Sequence, residues 1–151
     1  MDDDVTSAAL PGLTEVTLGV RDLTHAFREL TARIARRLDM PVTDVTAVGL
    51  VDMLGPMTVG ALASRLDIRT ASATVLVDRL VAAGRVERRR HPTDRRSTLV
   101  HLTPAGRAES WGLWEPAIRA MDAVAADLPA EHRGVVADYL RRIAEAVQEH
   151  P

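Results

Sequence analysis

Apolar residues recur every three or four positions along most of the chain, the spacing that predicts amphipathic α-helices. In the N-terminal segment they form one narrow stripe that starts at Val16 and stops before Pro41. The C-terminal segment carries a second stripe, from Val136 to Val147. Stripes of this length need an apolar partner, so the two helices are expected to pack together or against those of a second chain. The residues predicted for this interface are Val16, Val20, Leu23, Val136, Leu140, Ile143 and Val147.

Three shorter helices are predicted between these two segments. Thr43, Thr58 and Thr70 stand near the start of successive apolar runs. Each is a candidate N-cap, because a threonine hydroxyl can accept a hydrogen bond from a first-turn N–H group. Gly84 follows the last of the three helices and suits the position after a C-cap. The apolar face of that last helix consists of Ala73, Leu76, Val77 and Leu80.

A β-hairpin is predicted next in the chain. Residues 85–90 and 97–103 have the composition of short strands, and the Pro-Thr-Asp sequence at 92–94 supplies turn chemistry between them. The fourth helix follows a capped helix and a tight turn, which is helix–turn–helix order. The predicted fold is therefore mostly α with a small β-hairpin.

Two helices are predicted after the hairpin. The first has Thr103 as its cap and Pro104 at its first position, and is expected to run to Leu128 with a kink or an interruption at Pro116. The second starts at Pro129 and carries the C-terminal apolar stripe.

Composition narrows the classes of function. The 151 residues suit one domain, or a small domain with helical extensions. The absence of cysteine excludes disulfides, zinc–thiolate sites and cysteine nucleophiles. The acidic N-terminus does not resemble a signal peptide, and no apolar stretch approaches the roughly 20 residues that span a bilayer. A cytoplasmic protein with no membrane partner is expected.

Positive charge is concentrated in the middle of the chain. Ten arginines and four acidic residues lie between Arg65 and Arg107, whereas the whole chain has a net charge of −2 and contains no lysine. A basic middle flanked by acidic ends favours an element that faces a polyanion such as DNA. The alternative is that these arginines cluster by chance or through genome composition, without any role in binding a polyanion.

The fourth helix presents residues suited to a DNA groove. Arg69, Thr70, Ser72 and Thr74 are small or hydrogen-bonding and lie at its N-terminal end. Residues near the N-terminus of a recognition helix contact base edges and phosphates, and bulky apolar groups there would block the approach. The alternative is that these hydroxyls only cap the helix.

The hairpin places two arginines at its bend. Arg95 and Arg96 can reach the adjoining minor groove, whose negative potential attracts arginine. Asp94 is unfavourable close to DNA unless it orients a neighbouring side chain, and we expect it to hold the guanidinium of the arginine two residues later. A solvated turn with a local salt bridge is the alternative.

The stretch LVDRLVAAGRVERRRHPTDRRSTLVHLTPAGR resembles the signature of the MarR family of winged helix–turn–helix regulators, and GALASRLDI resembles the helix that precedes it. The resemblance is detailed from about Leu38 to Arg107. It implies a recognition helix at 70–83 and a wing at 86–102, and it places the family's wing arginine on Arg96. It departs at Thr74-Val75, where many members have Thr-Arg, so the operator sequence cannot be transferred. The predicted DNA-binding residues are Arg69, Thr70, Ser72, Ala73, Thr74, Arg79, Arg89, Arg90, Asp94, Arg95 and Arg96.

The family resemblance also implies a domain organisation. A flexible tail is expected at 1–13, a helical dimerisation region at 14–40 and 104–151, and a winged helix–turn–helix DNA-binding lobe at 41–103. The implied partners are a second copy of the chain and double-stranded DNA with a pseudo-palindromic operator.

A small aromatic or anionic effector of unknown identity is a further implication of the resemblance. Trp111 and Trp114 lie three residues apart and share a helix face. Ordinary core or interface aromatics are the alternative. The candidate pocket residues are His25, Phe27, Arg28, Met53, Trp111 and Trp114.

Catalytic and metal chemistry find little support in the sequence. The five histidines include no pair spaced by four residues and no His-Glu-x-x-His, so no metal or cofactor is expected. No Gly-x-Ser-x-Gly, P-loop or Rossmann fingerprint is present, so an enzyme is not expected. The function predicted is a DNA-binding, ligand-responsive, homodimeric repressor. The alternative is a winged-helix module that binds proteins rather than DNA.

Overall fold

The computed structural model describes residues 12–94 and 96–149. These residues are mostly helical with a small antiparallel sheet, which confirms the predicted fold class. Residues 1–11 of the predicted tail, the wing residue Arg95 and the last two residues lie outside the described part. The elements are α1 (Glu15–Leu38), α2 (Val42–Leu54), β1 (Met57–Thr58), α3 (Val59–Leu66), α4 (Thr70–Ala82), β2 (Val86–Arg90), β3 (Thr98–Leu102), α5 (Pro104–Ala126) and α6 (Ala130–Gln148).

Helix starts agree with the sequence at one of the three internal threonines. The Thr58 hydroxyl accepts a hydrogen bond of 3.1 Å from the N–H group three residues later and caps α3, as predicted. The other two caps are wrong, because α2 starts directly after Pro41 and α4 directly after Arg69. Thr43 and Thr70 therefore lie inside the first turns of their helices.

The sheet has three strands in the order β1-β3-β2, all antiparallel. The predicted hairpin is confirmed as β2 and β3, with Arg90 opposite Thr98 next to the bend. The pattern did not predict β1, which pairs Met57 with Val100 on the other side of β3. A two-residue strand is too short to show alternation, so only its pairing identifies it.

The buried core joins the helix–turn–helix to the sheet. The predicted apolar face of α4 is confirmed, since all four of its residues are buried. Leu76, Val77 and Leu80 pack with residues of α2, α3, β2 and β3. The core cluster is Ala47, Val48, Val51, Leu62, Leu76, Val77, Leu80, Val86 and Val100.

The start of α5 is joined to the end of α4 by a close contact. Thr103 caps α5 as predicted, since its hydroxyl accepts from the Gly106 N–H at 2.9 Å. The same hydroxyl donates to the Gly84 carbonyl at 2.7 Å. Gly106 is buried, and a Cβ atom there would lie 2.2 Å from the main-chain oxygen of Arg85. Only glycine allows this approach without a backbone shift.

The helix α5 is continuous from Pro104 to Ala126 with Pro116 inside it, so an interruption at Pro116 is wrong, whereas a kink there stays a prediction. The described residues contain no helix long and apolar enough to cross a membrane. The chain divides into two compact units after Arg107. In the first unit α1 packs on α2, with Ile34 and Ala35 buried. The second unit contains the remainder of α5 and all of α6, and α6 has no buried residue.

Replacing Gly106 by Ala is expected to lower the free energy of unfolding by about 1–3 kcal/mol, because the new methyl group meets main-chain atoms that cannot rotate away. The matched control is Gly112→Ala in the same helix, where a Cβ atom meets nothing within 4 Å. This change should raise stability by about 0.5–1 kcal/mol. Urea unfolding followed by circular dichroism measures both, and equal effects would refute the close contact.

Candidate nucleic-acid interface

The helix–turn–helix consists of α3, a three-residue turn and α4. Asp67 ends α3 in the left-handed conformation at φ 51°, and its N–H group bonds back to the last turn of the helix. The Ile68 N–H group also bonds to α3, at 3.1 Å from the Ala63 carbonyl, and its side chain packs against the core. The turn therefore holds α4 across α3 with Arg69 as the first exposed residue before the recognition helix.

Most residues predicted for the recognition surface are exposed on α4. Arg69, Thr70, Ser72 and Thr74 all face solvent. Arg69 occupies the N-cap position but makes no side-chain capping hydrogen bond, so its side chain leaves the first-turn N–H groups uncapped. Such groups favour a phosphate. The assignment of Ala73 is wrong, since its side chain is 0% exposed and belongs to the core.

Arg79 has a structural role that its place in the sequence motif did not reveal. Its Nε and one Nη group donate to the two carboxylate oxygens of Asp44, at 2.8 and 2.7 Å. Asp44 lies in the first turn of α2 and is 1% exposed, whereas the Arg79 side chain is 50% exposed. Hydrogen bonding to Asp44 and the charge of Asp44 raise the pKa of Arg79 above its ordinary value. This ion pair fastens α4 onto α2, and the half-exposed Arg79 also stays a predicted DNA contact.

Asp44 is a residue of the site that sequence reasoning missed. An acidic residue in the first turn of a helix is ordinary, because it interacts favourably with the helix dipole. The surrounding apolar positions on α2, Val45 and Val48, are buried and share its turn. A single acidic residue between apolar positions is a signal for a buried ion pair, but it does not identify the partner.

The wing arginines of β2 differ in their surroundings. Arg88 donates to Asp78 of α4 at 2.6 Å, which ties the wing to the recognition helix. Arg89 pairs with Glu87 on the exposed surface, and pairs of this kind contribute little stability. Arg90 is exposed at the end of the strand. Arg89 and Arg90 stay predicted DNA contacts.

Main-chain hydrogen bonds shape the wing bend. The Nδ1 atom of His91 accepts from the N–H groups of Thr93 and Asp94, at 3.3 and 3.2 Å. Asp94 Oδ1 accepts from the Arg96 N–H group at 3.0 Å. The expectation that Asp94 holds the Arg96 guanidinium is therefore wrong, because its contact is with the main chain. The bend is organised and the Arg96 side chain stays exposed, while Arg95 lies outside the described residues.

The residues predicted for an effector pocket are distributed over both units. His25, Phe27 and Arg28 lie on α1, and Met53 lies on α2 with its side chain exposed. A hollow of about 420 Å³ includes His25, but its other lining residues also come from α1. The tryptophans Trp111 and Trp114 lie on α5 beyond the unit boundary. The pocket stays a prediction.

Comparison with known proteins finds a family match for the segment that contains the helix–turn–helix and most of the wing. Residues 38–97 match a model of the MarR family. The uncharacterized HTH-type transcriptional regulator YcgE of Bacillus subtilis is 28% identical over 115 residues, which are 76% of this chain and 75% of that protein.

Solved structures share the fold at low sequence identity. A MepR variant from a multidrug-resistant S. aureus clinical isolate has a TM-score of 0.72 at 14% identity, over 90% of this chain and 99% of that chain. A second S. aureus MepR variant, bound to an oligodeoxyribonucleotide, has a TM-score of 0.57 at 14% identity, over 89% and 99% of the chains.

The ion pair between Asp44 of α2 and Arg79 of α4 predicts how the stabilities of variants at these two positions rank. Asp44→Asn is expected to lower the free energy of unfolding by about 1–3 kcal/mol, because the amide keeps one acceptor oxygen, loses one of the two hydrogen bonds from Arg79 and weakens the other. Arg79→Met should lower the melting temperature further, since it leaves the buried carboxylate without a cation. The double variant should lose less than the sum of the two, because no unpaired buried charge remains.

Thermal unfolding followed by circular dichroism gives the melting temperatures of the wild type, the two single variants and the double variant. Arg119→Met is the matched control, because Arg119 pairs with Glu115 on the exposed surface of one helix. The melting temperature of that variant should change little. Equal losses in Arg79→Met and Arg119→Met, or strict additivity in the double variant, would contradict the structural role of the Asp44–Arg79 pair.

Proposed function

Because residues 38–97 match the MarR family, we propose that the chain is a DNA-binding transcriptional regulator of that family, and that it is a homodimeric repressor whose operator binding is relieved by a small effector. The observation that carries the DNA-binding surface is the exposed face of α4 beside a basic wing in the same compact unit. Arg69 and Arg96 stand at its two ends, one before the helix and one at the bend. The structurally similar S. aureus MepR variant bound to an oligodeoxyribonucleotide supports DNA as the ligand of this face.

A homodimer accounts for the apolar surfaces outside the lobe. Val16 and Leu23 of α1 are exposed, and Leu140 of α6 is 46% exposed although it lies on an apolar stripe. Val136 and Val147 continue the exposed stripe, while Val20 and Ile143 are half-buried. A twofold dimer would present two recognition helices to successive major grooves about one DNA turn apart, which requires a pseudo-palindromic operator.

Effector control requires two dimer geometries with different affinities for the ligand. A ligand changes DNA binding only by the difference between its affinities for the DNA-competent and the released states. The exposed indole of Trp111, beside the half-buried Trp114, offers aromatic surface for such a ligand. Arg28 and His25 are exposed on α1, in the other compact unit, and we propose them separately as cationic or hydrogen-bonding groups for an anion.

Selection of bound genomic fragments over a salt series tests the DNA-binding function, starting with the region upstream of the protein's own gene. We expect a short inverted repeat, with the logarithm of the binding constant falling linearly with the logarithm of salt concentration. No enrichment at any salt concentration would contradict the proposal and favour the protein-binding alternative.

Arg96→Ala provides a variant for the same assay. Affinity should fall by about a hundredfold at matched salt, since each half-site of the dimer loses one charged contact. The control is Arg33→Ala on α1, which removes another exposed arginine, distant in sequence from the wing. Its affinity should stay within about twofold. Equal affinities of the two variants would refute the wing assignment.

Leu140→Asp tests the dimer interface. A carboxylate in an apolar seam has no partner, so this variant is expected to sediment as a monomer where the wild type is a dimer. The control is Arg142→Asp, which changes the charge more but lies two residues further, on the opposite side of α6. A dimer of Leu140→Asp in sedimentation velocity would refute this interface.

A further inference from the structure

The exposed face of the recognition helix lacks the side chains that make paired hydrogen bonds to bases. From Thr70 to Val77 the sequence is TASATVLV, with no arginine, lysine, asparagine or glutamine. Guanine and adenine are usually read in the major groove by bidentate contacts from these residue types. The first two turns of α4 therefore require another means of base recognition.

The hydroxyls on this face offer only partial hydrogen bonding. The Thr74 hydroxyl donates to the Thr70 carbonyl at 2.9 Å, within the helix itself. Its single hydrogen is thus engaged, and its oxygen can only accept from a base. The side chain of Thr74 is exposed and also presents its methyl group to solvent.

Val75 is the largest apolar side chain exposed in these two turns. It is 59% exposed, although its neighbours Leu76 and Val77 are buried in the core. It lines a hollow of about 360 Å³ together with Thr43, Ile68, Ser72, Leu76 and Arg79. An apolar group on a DNA-facing surface gains from contact only if the DNA also offers an apolar group.

The apolar group on a base edge in the major groove is the C5 methyl of thymine. We propose that Val75 determines operator specificity by packing against a thymine methyl in each half-site. This inference rests on the proposed DNA-binding function and goes beyond it, because it names the base and the atom that are recognised. The arginine that the family often carries at this position would read hydrogen-bond acceptors, so valine changes the class of base contact.

Deoxyuridine substitution tests the contact directly, because deoxyuridine lacks only the methyl group and keeps every hydrogen-bonding atom of thymine. Each thymine of the selected operator is replaced in turn, and affinity is measured by fluorescence anisotropy at fixed salt. At one thymine per half-site we expect a loss of about fourfold, and of about fifteenfold when both half-sites are changed. Other thymines should respond by less than about twofold.

Val75→Ala is tested on two operators, the one with thymine and the one with deoxyuridine at the sensitive position, so that protein and DNA changes form a double-mutant cycle. This variant should bind the thymine operator more weakly than the wild type and should no longer distinguish thymine from deoxyuridine at that position. The control is Val81→Ala, which removes the same atoms from an exposed valine near the other end of α4. It should retain the full response to deoxyuridine.

Several results would overturn the inference. Binding of a specific operator that is insensitive to deoxyuridine, or equal sensitivity in the wild type and Val75→Ala, would exclude methyl recognition by Val75 and leave the regulator function intact. Failure to select any DNA site would overturn the proposed function and this inference with it. Circular dichroism of Val75→Ala verifies folding, and the exposure of Val75 makes a large change in stability unexpected.

Discussion

The recognition helix depends on one buried charge. Asp44 is almost completely removed from solvent, and both of its oxygens are held by Arg79 from the neighbouring helix. A buried carboxylate without a cation is costly, so α2 and α4 are confined to arrangements that keep this pair together. The adjacent residue Asp78 binds Arg88 of β2. Two consecutive residues of α4 thus connect it to the helix on one side and to the wing on the other.

The arginines of the lobe fall into two groups according to their partners. Arg79 and Arg88 form ion pairs with carboxylates of other elements and so hold α4 to α2 and to β2. Within residues 12–94 and 96–149, Arg69, Arg90 and Arg96 make no ion pair, and all three are exposed. A count of positive charge in the segment therefore overstates what is available to a phosphate backbone. The predicted DNA contacts that remain free of ion pairs among the described residues, Arg69, Arg90 and Arg96, lie before α4 and along the wing.

Exposed apolar surface has two different explanations in the two units. On α6 the apolar residues repeat at helical spacing and none is buried, so they form an apolar stripe that is at least partly exposed along the helix. In the first two turns of α4, Val75 is the one exposed valine and stands among hydroxyls and small side chains. A lone apolar residue in that position fits a local contact with one group of a ligand rather than an extended interface. The spacing of exposed apolar residues, more than their number, therefore distinguishes an extended interface from a local contact.

Local patterns determined much of this protein from the sequence alone. Periodicity predicted the helices and the apolar face of α4, turn residues predicted the hairpin, and the caps at Thr58 and Thr103 were recognisable because their hydrogen bonds close within three residues. Only the tertiary structure decided the role of Arg79, whose partner lies 35 residues away. It also decided the pairing of β1 and the need for glycine at 106, where two distant main-chain segments meet. The physical reason is the same in each case: secondary structure follows from neighbours in the chain, whereas buried pairs and close approaches follow from the packing of elements that the chain keeps far apart.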